Sequence, residues 1–192
     1  MESVYNDGYF NVANWEYALG ISPKIFAETI VNLYGVRSVA DIGCGPGFYS
    51  REFGKLGVDY FGADGSPAAL RNLIIDKRNF ILRDLTEKFN LSRKYDCAIC
   101  LEVAEHIPAD KSEILVENLS KISDLIFFTA ARPGQGGHDH INEQSPQFWV
   151  NIFNNFDFEF QLDDTNRIKK ILADNNVVFW IKDNLLVFRR RK

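Results

Sequence analysis

Long apolar runs, cysteine and histidine are all scarce in this chain of 192 residues. No apolar run reaches the roughly 18 residues that a membrane span needs, so no membrane partner is expected. The first ten residues lack the basic segment followed by an apolar one that marks a secretory signal. The three cysteines are an odd number, which argues against a disulfide scaffold. Cys97 and Cys100 form a C-x-x-C, but they lie inside an apolar run where residues three apart face opposite sides of a strand. Buried thiols in a reducing cytoplasm fit them better than a metal or redox pair. Basic residues number 22 against 26 acidic ones, and the last four, Arg189 to Lys192, are all basic. The rest of the chain is therefore more acidic than the total of −4 conveys, a poor match for a nucleic-acid backbone. No internal repeat, low-complexity tract or linker interrupts the chain, so residues 1–192 read as one domain.

What is present is an alternation of apolar strands and amphipathic helices. Apolar runs at Val36–Ile42, Tyr60–Ala63, Phe80–Leu82, Tyr95–Leu101 and Leu125–Ala130 read as parallel strands, the fourth apolar on both faces. Helices are predicted between them and at Ser22–Leu33, where Ser22 can cap and Pro23 suits the first turn. After a loop at 131–144 come a helix from Ser145, an alternating strand to Phe160, a helix over Thr165–Ala173, and a β-rich end with a bend or hairpin near Lys182–Asn184. The expected fold is α/β, a doubly wound, mostly parallel seven-stranded sheet with helices on both faces and an antiparallel member near one edge. Residues 1–21 are aromatic (Tyr5, Tyr9, Phe10, Trp15, Tyr17) and read as weakly structured, either an arm packed on the body or a lid over a pocket.

The most informative stretch is Val39-Ala40-Asp41-Ile42-Gly43-Cys44-Gly45-Pro46-Gly47. A strand ends in an acid, and glycines at alternate positions let the following turn approach a ligand. In open parallel sheets ligands bind beyond the carboxyl ends of the strands. Asp41 can fix the turn or meet a ligand amine, Asp64 can share its carboxylate between two ribose hydroxyls, and Asp84 can accept from an adenine amino group, with Leu85 lying on the base. The G-x-G-x-G spacing is not the dinucleotide fingerprint. Pro46 removes an amide that a phosphate would use, and Asp41 would repel phosphate. A cationic cofactor without phosphate fits better.

These residues resemble the class I S-adenosylmethionine-dependent methyltransferases of small-molecule type. The matching pieces are Val39 to Gly47, Phe61 to Ser66 (with Asp64, Gly65 and Ser66), Arg83-Asp84-Leu85 and Tyr95 to Cys100. The resemblance implies that Asp41, Gly43, Cys44, Gly45 and Gly47 hold the methionine half of S-adenosylmethionine, Asp64 the ribose and Asp84 the adenine. Leu101-Glu102-Val103-Ala104-Glu105-His106 resembles the segment that walls donor and acceptor in such enzymes.

The acceptor must meet the methyl group in line at roughly 3–3.5 Å. The three histidines of the chain, His106, His138 and His140, all follow strands four and five. Imidazole suits a general base near neutral pH, and His138 or His140 is favoured, with His106 in support or capping local backbone. Tyr9, Trp15, Tyr17, Glu105, Arg132, Gln135, Asn142 and Trp149 are the expected acceptor contacts, although Trp149 also fits plain core. His138-x-His140 can bind metal with added carboxylates, but no clear E-x-x-H-H element is present and no metal is expected. The loop also resembles segments in bacterial or viral methyltransferases encoded near sugar and secondary-metabolite genes. That likeness implies O-methylation of a polar small molecule, such as a sugar or sugar nucleotide, with Arg132 meeting an anionic group. The alternatives are a methyltransferase acting on RNA or protein and a non-catalytic cofactor-binding partner subunit.

Overall fold

A computed structural model describes residues 5–192. Seven strands form one sheet: β1 (Ser38–Ile42), β2 (Asp59–Asp64), β3 (Phe80–Leu82), β4 (Cys97–Leu101), β5 (Leu125–Thr129), β6 (Phe158–Phe160) and β7 (Leu186–Arg190). Their order is β3-β2-β1-β4-β5-β7-β6. The first five pair in parallel, and β7 runs antiparallel between β5 and β6. β4 and β5 are buried throughout, as expected of strands covered on both faces.

Alternation along the strands sends side chains to two cores. Ala40, Ile42, Cys100 and Phe128 face α5 (Ser112–Ile122) and α6 (Pro146–Asn155). Val39, Cys97, Ile99 and Phe127 face α2 (Ser22–Tyr34), α3 (Phe48–Lys55) and α7 (Leu162–Asp174). Cys97 and Cys100 therefore lie in different layers, both buried and free.

Three expectations are corrected. The amino-terminal arm contains α1 (Val12–Leu19), whose start is capped by the Asn11 side chain accepting from the Asn14 N–H. Ser22 is the first residue of α2 rather than its cap, and its hydroxyl accepts from the Val178 N–H at 3.0 Å. The segment expected to form a bend or hairpin is instead α8 (Phe179–Asn184). Burial of Val177, Ile181, Asn184 and Leu185 recurs at helical spacing, and this tertiary pattern overrides the β propensity of the valines and aromatics.

Candidate active site

The sheet order turns between β1 and β4, and a cavity of about 480 Å³ opens beyond their carboxyl ends. The turn after β1 forms its floor. Gly43 has φ 81°, and a Cβ there would fall inside the Val103 side chain, so only glycine lets the turn and the β4 loop meet. Asp64 ties the floor to the end of β2, accepting from the Gly45 N–H and the Ser66 N–H, each at 2.8 Å. Asp41 accepts from the Ser50 hydroxyl at 2.8 Å, and burial pushes its carboxyl up to about 7. Asp84 is exposed on the wall and accepts from the Thr86 N–H and hydroxyl through Oδ1.

The far wall comes from the loop after β4. Glu102 takes φ 55°, uncommon for a residue with a side chain, and its N–H meets Thr129 Oγ1 at 2.9 Å. This bend turns the chain so that Glu105 and His106 reach the cavity. Burial raises both Glu102 and Glu105, and each carboxylate also feels the other. The His138–His140 loop folds over them. Glu143 pins that loop by accepting from the Gly134 and Gly136 N–H groups, both at 2.7 Å.

The arm supplies the remaining wall. Tyr5, Tyr9, Phe10 and Trp15 line the cavity. Arg51 to Glu16 at 2.8 Å and Arg71 to Asp7 at 3.0 Å fasten the arm to α3 and α4 (Pro67–Arg71). The part of the expected lid before Tyr5 lies outside the described residues.

The cavity gathers Asp41, Gly43, Cys44, Gly45, Asp64, Gly65, Ser66, Asp84, Leu85, Leu101 and Glu102 from the expected cofactor set. Of the expected acceptor side, Tyr9, Trp15, Glu105, Gln135 and all three histidines line it too. Five expected residues lie elsewhere. Gly47 heads α3, where a Cβ would meet Ile75 at 2.8 Å. Trp149 is 1% exposed and packs on Phe128 in the core, ring centroids 5.0 Å apart. Tyr17 is 91% exposed on the outer face of α1. The Arg132 guanidinium donates to the Asp183 carbonyl and holds the loop to α8. Asn142 is buried, donates to Ser112 Oγ at 3.0 Å and to the Ala104 carbonyl at 3.3 Å, and so braces the β4 loop. Sequence reasoning missed Tyr49, whose hydroxyl oxygen is buried without a partner, and Phe179 and Trp180 of α8. The helical spacing of 177–185 was the signal for the latter pair.

Five carboxylates, Asp41, Asp64, Asp84, Glu102 and Glu105, thus border the cavity, and no lysine or arginine does among the described residues. Such a wall favours a cation and repels phosphate.

Residues 40–122 match the family described as "Methyltransferase domain". The mitochondrial ubiquinone biosynthesis O-methyltransferase of Schizosaccharomyces pombe is 27% identical over 124 residues, 59% of this chain and 44% of that protein. The matched stretches span 32% to 61% of the first curated relatives, about half their length. Among solved structures, magnesium protoporphyrin IX methyltransferase from Synechocystis with bound S-adenosylhomocysteine (SAH) is 19% identical, with a TM-score of 0.60 over 83% of this chain and 91% of that one. The sugar N-methyltransferase KedS8 from Streptoalloteichus is 16% identical, with a TM-score of 0.71 over 100% of this chain and 98% of that one. The structural likenesses show a shared fold.

Proposed function

We propose that this chain is a class I S-adenosylmethionine-dependent methyltransferase that transfers the sulfonium methyl group to a hydroxyl of a polar small molecule that carries no phosphate. The observation that carries this reading is the carboxylate-rich cavity, with no lysine or arginine on its wall among the described residues. A sulfonium donor with an ammonium group finds counter-charges there, whereas a dinucleotide finds none for its phosphates.

The donor's methionine half lies over Gly43, Cys44 and Gly45, with its amine toward Asp41 and the unpartnered Tyr49 hydroxyl. Both Asp64 oxygens already accept one backbone N–H and keep lone pairs for two ribose hydroxyls. Gly65 and Ser66 flank that ribose. Asp84 uses Oδ1 on Thr86 and offers Oδ2 to the adenine amino group, with Leu85 against the base. Leu101 and Glu102 separate donor from acceptor. The arm serves as the lid that excludes water.

On the acceptor side, His138 stacks on Tyr9, with ring centroids 5.4 Å apart, and no hydrogen bond to another described residue occupies its ring. It takes the proton of the attacking hydroxyl. The oxygen then forms a bond to the methyl carbon as the carbon–sulfur bond breaks and sulfur becomes a neutral thioether. Glu105, His106, Gln135 and His140 orient the acceptor. Because Arg132 lies off the cavity, a saccharide without its nucleotide phosphate fits better than a sugar nucleotide. Calorimetric titration and release of labelled methyl groups test the reading together. SAH is expected to bind, NAD is not, and neutral or amino sugars should accept methyl groups while their phosphates do not. An SAH titration that stays flat at millimolar concentration, or saturation by NAD, defeats the proposal.

The raised Asp41 carboxyl adds a pH dependence. Between its ordinary value of 3.8 and about 7 the folded state holds a proton that the unfolded chain has lost. Its contribution to stability is therefore full below 3.8, declines as pH rises, and levels off above about 7. A cationic donor prefers the ionised form, so SAH and S-adenosylmethionine are expected to bind about tenfold more tightly at pH 8 than at pH 6. Binding should release about half a proton near pH 7 and close to one near pH 6, read from calorimetry in buffers of different ionisation enthalpy. Asp41→Asn should abolish that release.

A further inference from the structure

Three side chains on the acceptor side of the cavity each bring a possible ligand atom close to the others. A carboxylate oxygen of Glu105 and one ring nitrogen each of His106 and His140 lie within 4.8 Å of one another. Glu105 is fully buried. Its Oε1 accepts from the Ala131 N–H at 3.2 Å, and its Oε2 is buried with no hydrogen-bond donor among the described residues apart from the neighbouring Glu102 carboxyl. A buried carboxyl pair is costly to ionise, and a cation meeting it would offset that cost.

Both imidazoles are held with a lone pair free. His106 Nδ1 lies 3.1 Å from the Asp139 carbonyl, which can only accept, so the proton sits on Nδ1, with Tyr5 Oη at 2.7 Å on the same side. His140 Nδ1 donates to the Glu143 carboxylate at 3.0 Å. Nε2 of each ring makes no hydrogen bond among the described residues. A carboxylate behind a histidine that presents its other nitrogen is the arrangement that orients metal-ligating imidazoles.

We propose that Glu105, His106 and His140 bind a divalent first-row transition cation, of the Mn²⁺, Co²⁺ or Zn²⁺ class, beside the acceptor. Two imidazoles and one carboxylate favour these ions over Mg²⁺, which keeps to oxygen ligands. Three protein ligands leave positions open for an acceptor hydroxyl, whose proton the cation acidifies for His138. That role rests on the methyl-transfer reading; the binding site itself does not. No metal is expected from the sequence because it has no clear E-x-x-H-H element; the second histidine of the cluster comes from a separate loop, 34 positions after His106.

Metal-free full-length protein titrated with Co²⁺ and followed by its visible absorption tests the site. One equivalent is expected to bind with ligand-field bands of an N/O environment. His140→Ala should weaken binding by more than about tenfold, and Glu143→Gln by about 10–100-fold. Gly137→Ala, whose Cβ would fall inside the His140 ring, should weaken it while every ligand remains in the sequence. Tyr17→Ala, on the outer face of α1 and off the cavity, should bind Co²⁺ as the parent does. No binding below millimolar Co²⁺, or equal affinity in His140→Ala and the parent, overturns the proposal. SAH titration of the same metal-free samples reads the donor site and the integrity of the fold, so either reading can fail without the other.

Discussion

His138→Ala is expected to lower turnover by about 10²–10⁴-fold, the range for loss of a positioned general base. SAH affinity should stay within about threefold of the parent, because the donor contacts come from the β1, β2 and β3 ends and His138 from the loop after β5. The histidine is exposed and held by stacking on Tyr9, so its removal opens no core cavity. Rate and SAH affinity measured on the same preparation decide the matter. Full turnover in His138→Ala would move the base elsewhere. Undiminished biological activity with no methyl transfer by the parent protein would instead mark a partner subunit that binds the cofactor without catalysis.

Gly43→Ala is expected to be the most destabilising single methyl group in the donor site. At φ 81° an alanine carries a left-handed backbone cost of about 1–2 kcal/mol. The added Cβ also falls inside the Val103 side chain, an overpacking cost of about 1–3 kcal/mol. Together these approach half the stability of a marginal domain and should lower Tm by roughly 4–20 °C. Any relaxation must move the turn after β1 or the loop after β4, so SAH affinity should fall with Tm. Gly20→Ala is the matched control. Its φ is 52° and nothing lies within 4 Å of an added Cβ, so it meets only the backbone part. Equal melting of the two variants, with SAH binding intact in Gly43→Ala, would refute the packing account.

The sheet was legible because its information is local. Each parallel strand is a short apolar run, and the first ends in an acid and closely spaced glycines that mark where a ligand approaches. The convergence of Asp41, Asp64 and Asp84 on the cavity was legible for the same reason, since each sits at or just past a strand end. The acceptor side was less legible because polar loop residues serve two masters. Arg132 and Asn142 are spent on holding loops in place, and nothing in their neighbours distinguishes that use from binding an acceptor. Trp149 sits three residues into an amphipathic helix, where a core anchor and a stacking wall look alike until the helix is docked. The convergence of Glu105, His106 and His140 is tertiary, and no spacing in the chain encodes it. Helix α8 was misread from residue type alone, although its burial period was there to be counted.

The arm ties together events that happen at opposite ends of the cavity. Tyr5 spans them, its carbonyl accepting from Ser66 Oγ at 3.0 Å on the donor side while its hydroxyl meets His106 at 2.7 Å on the acceptor side. Phe10 lies over Gly45 within the same short segment. On the proposed roles, peeling this strip back to exchange spent donor for fresh donor would also release His106 on the acceptor side. A traffic rule would follow from those roles: the methylated product would depart before, or together with, the spent donor.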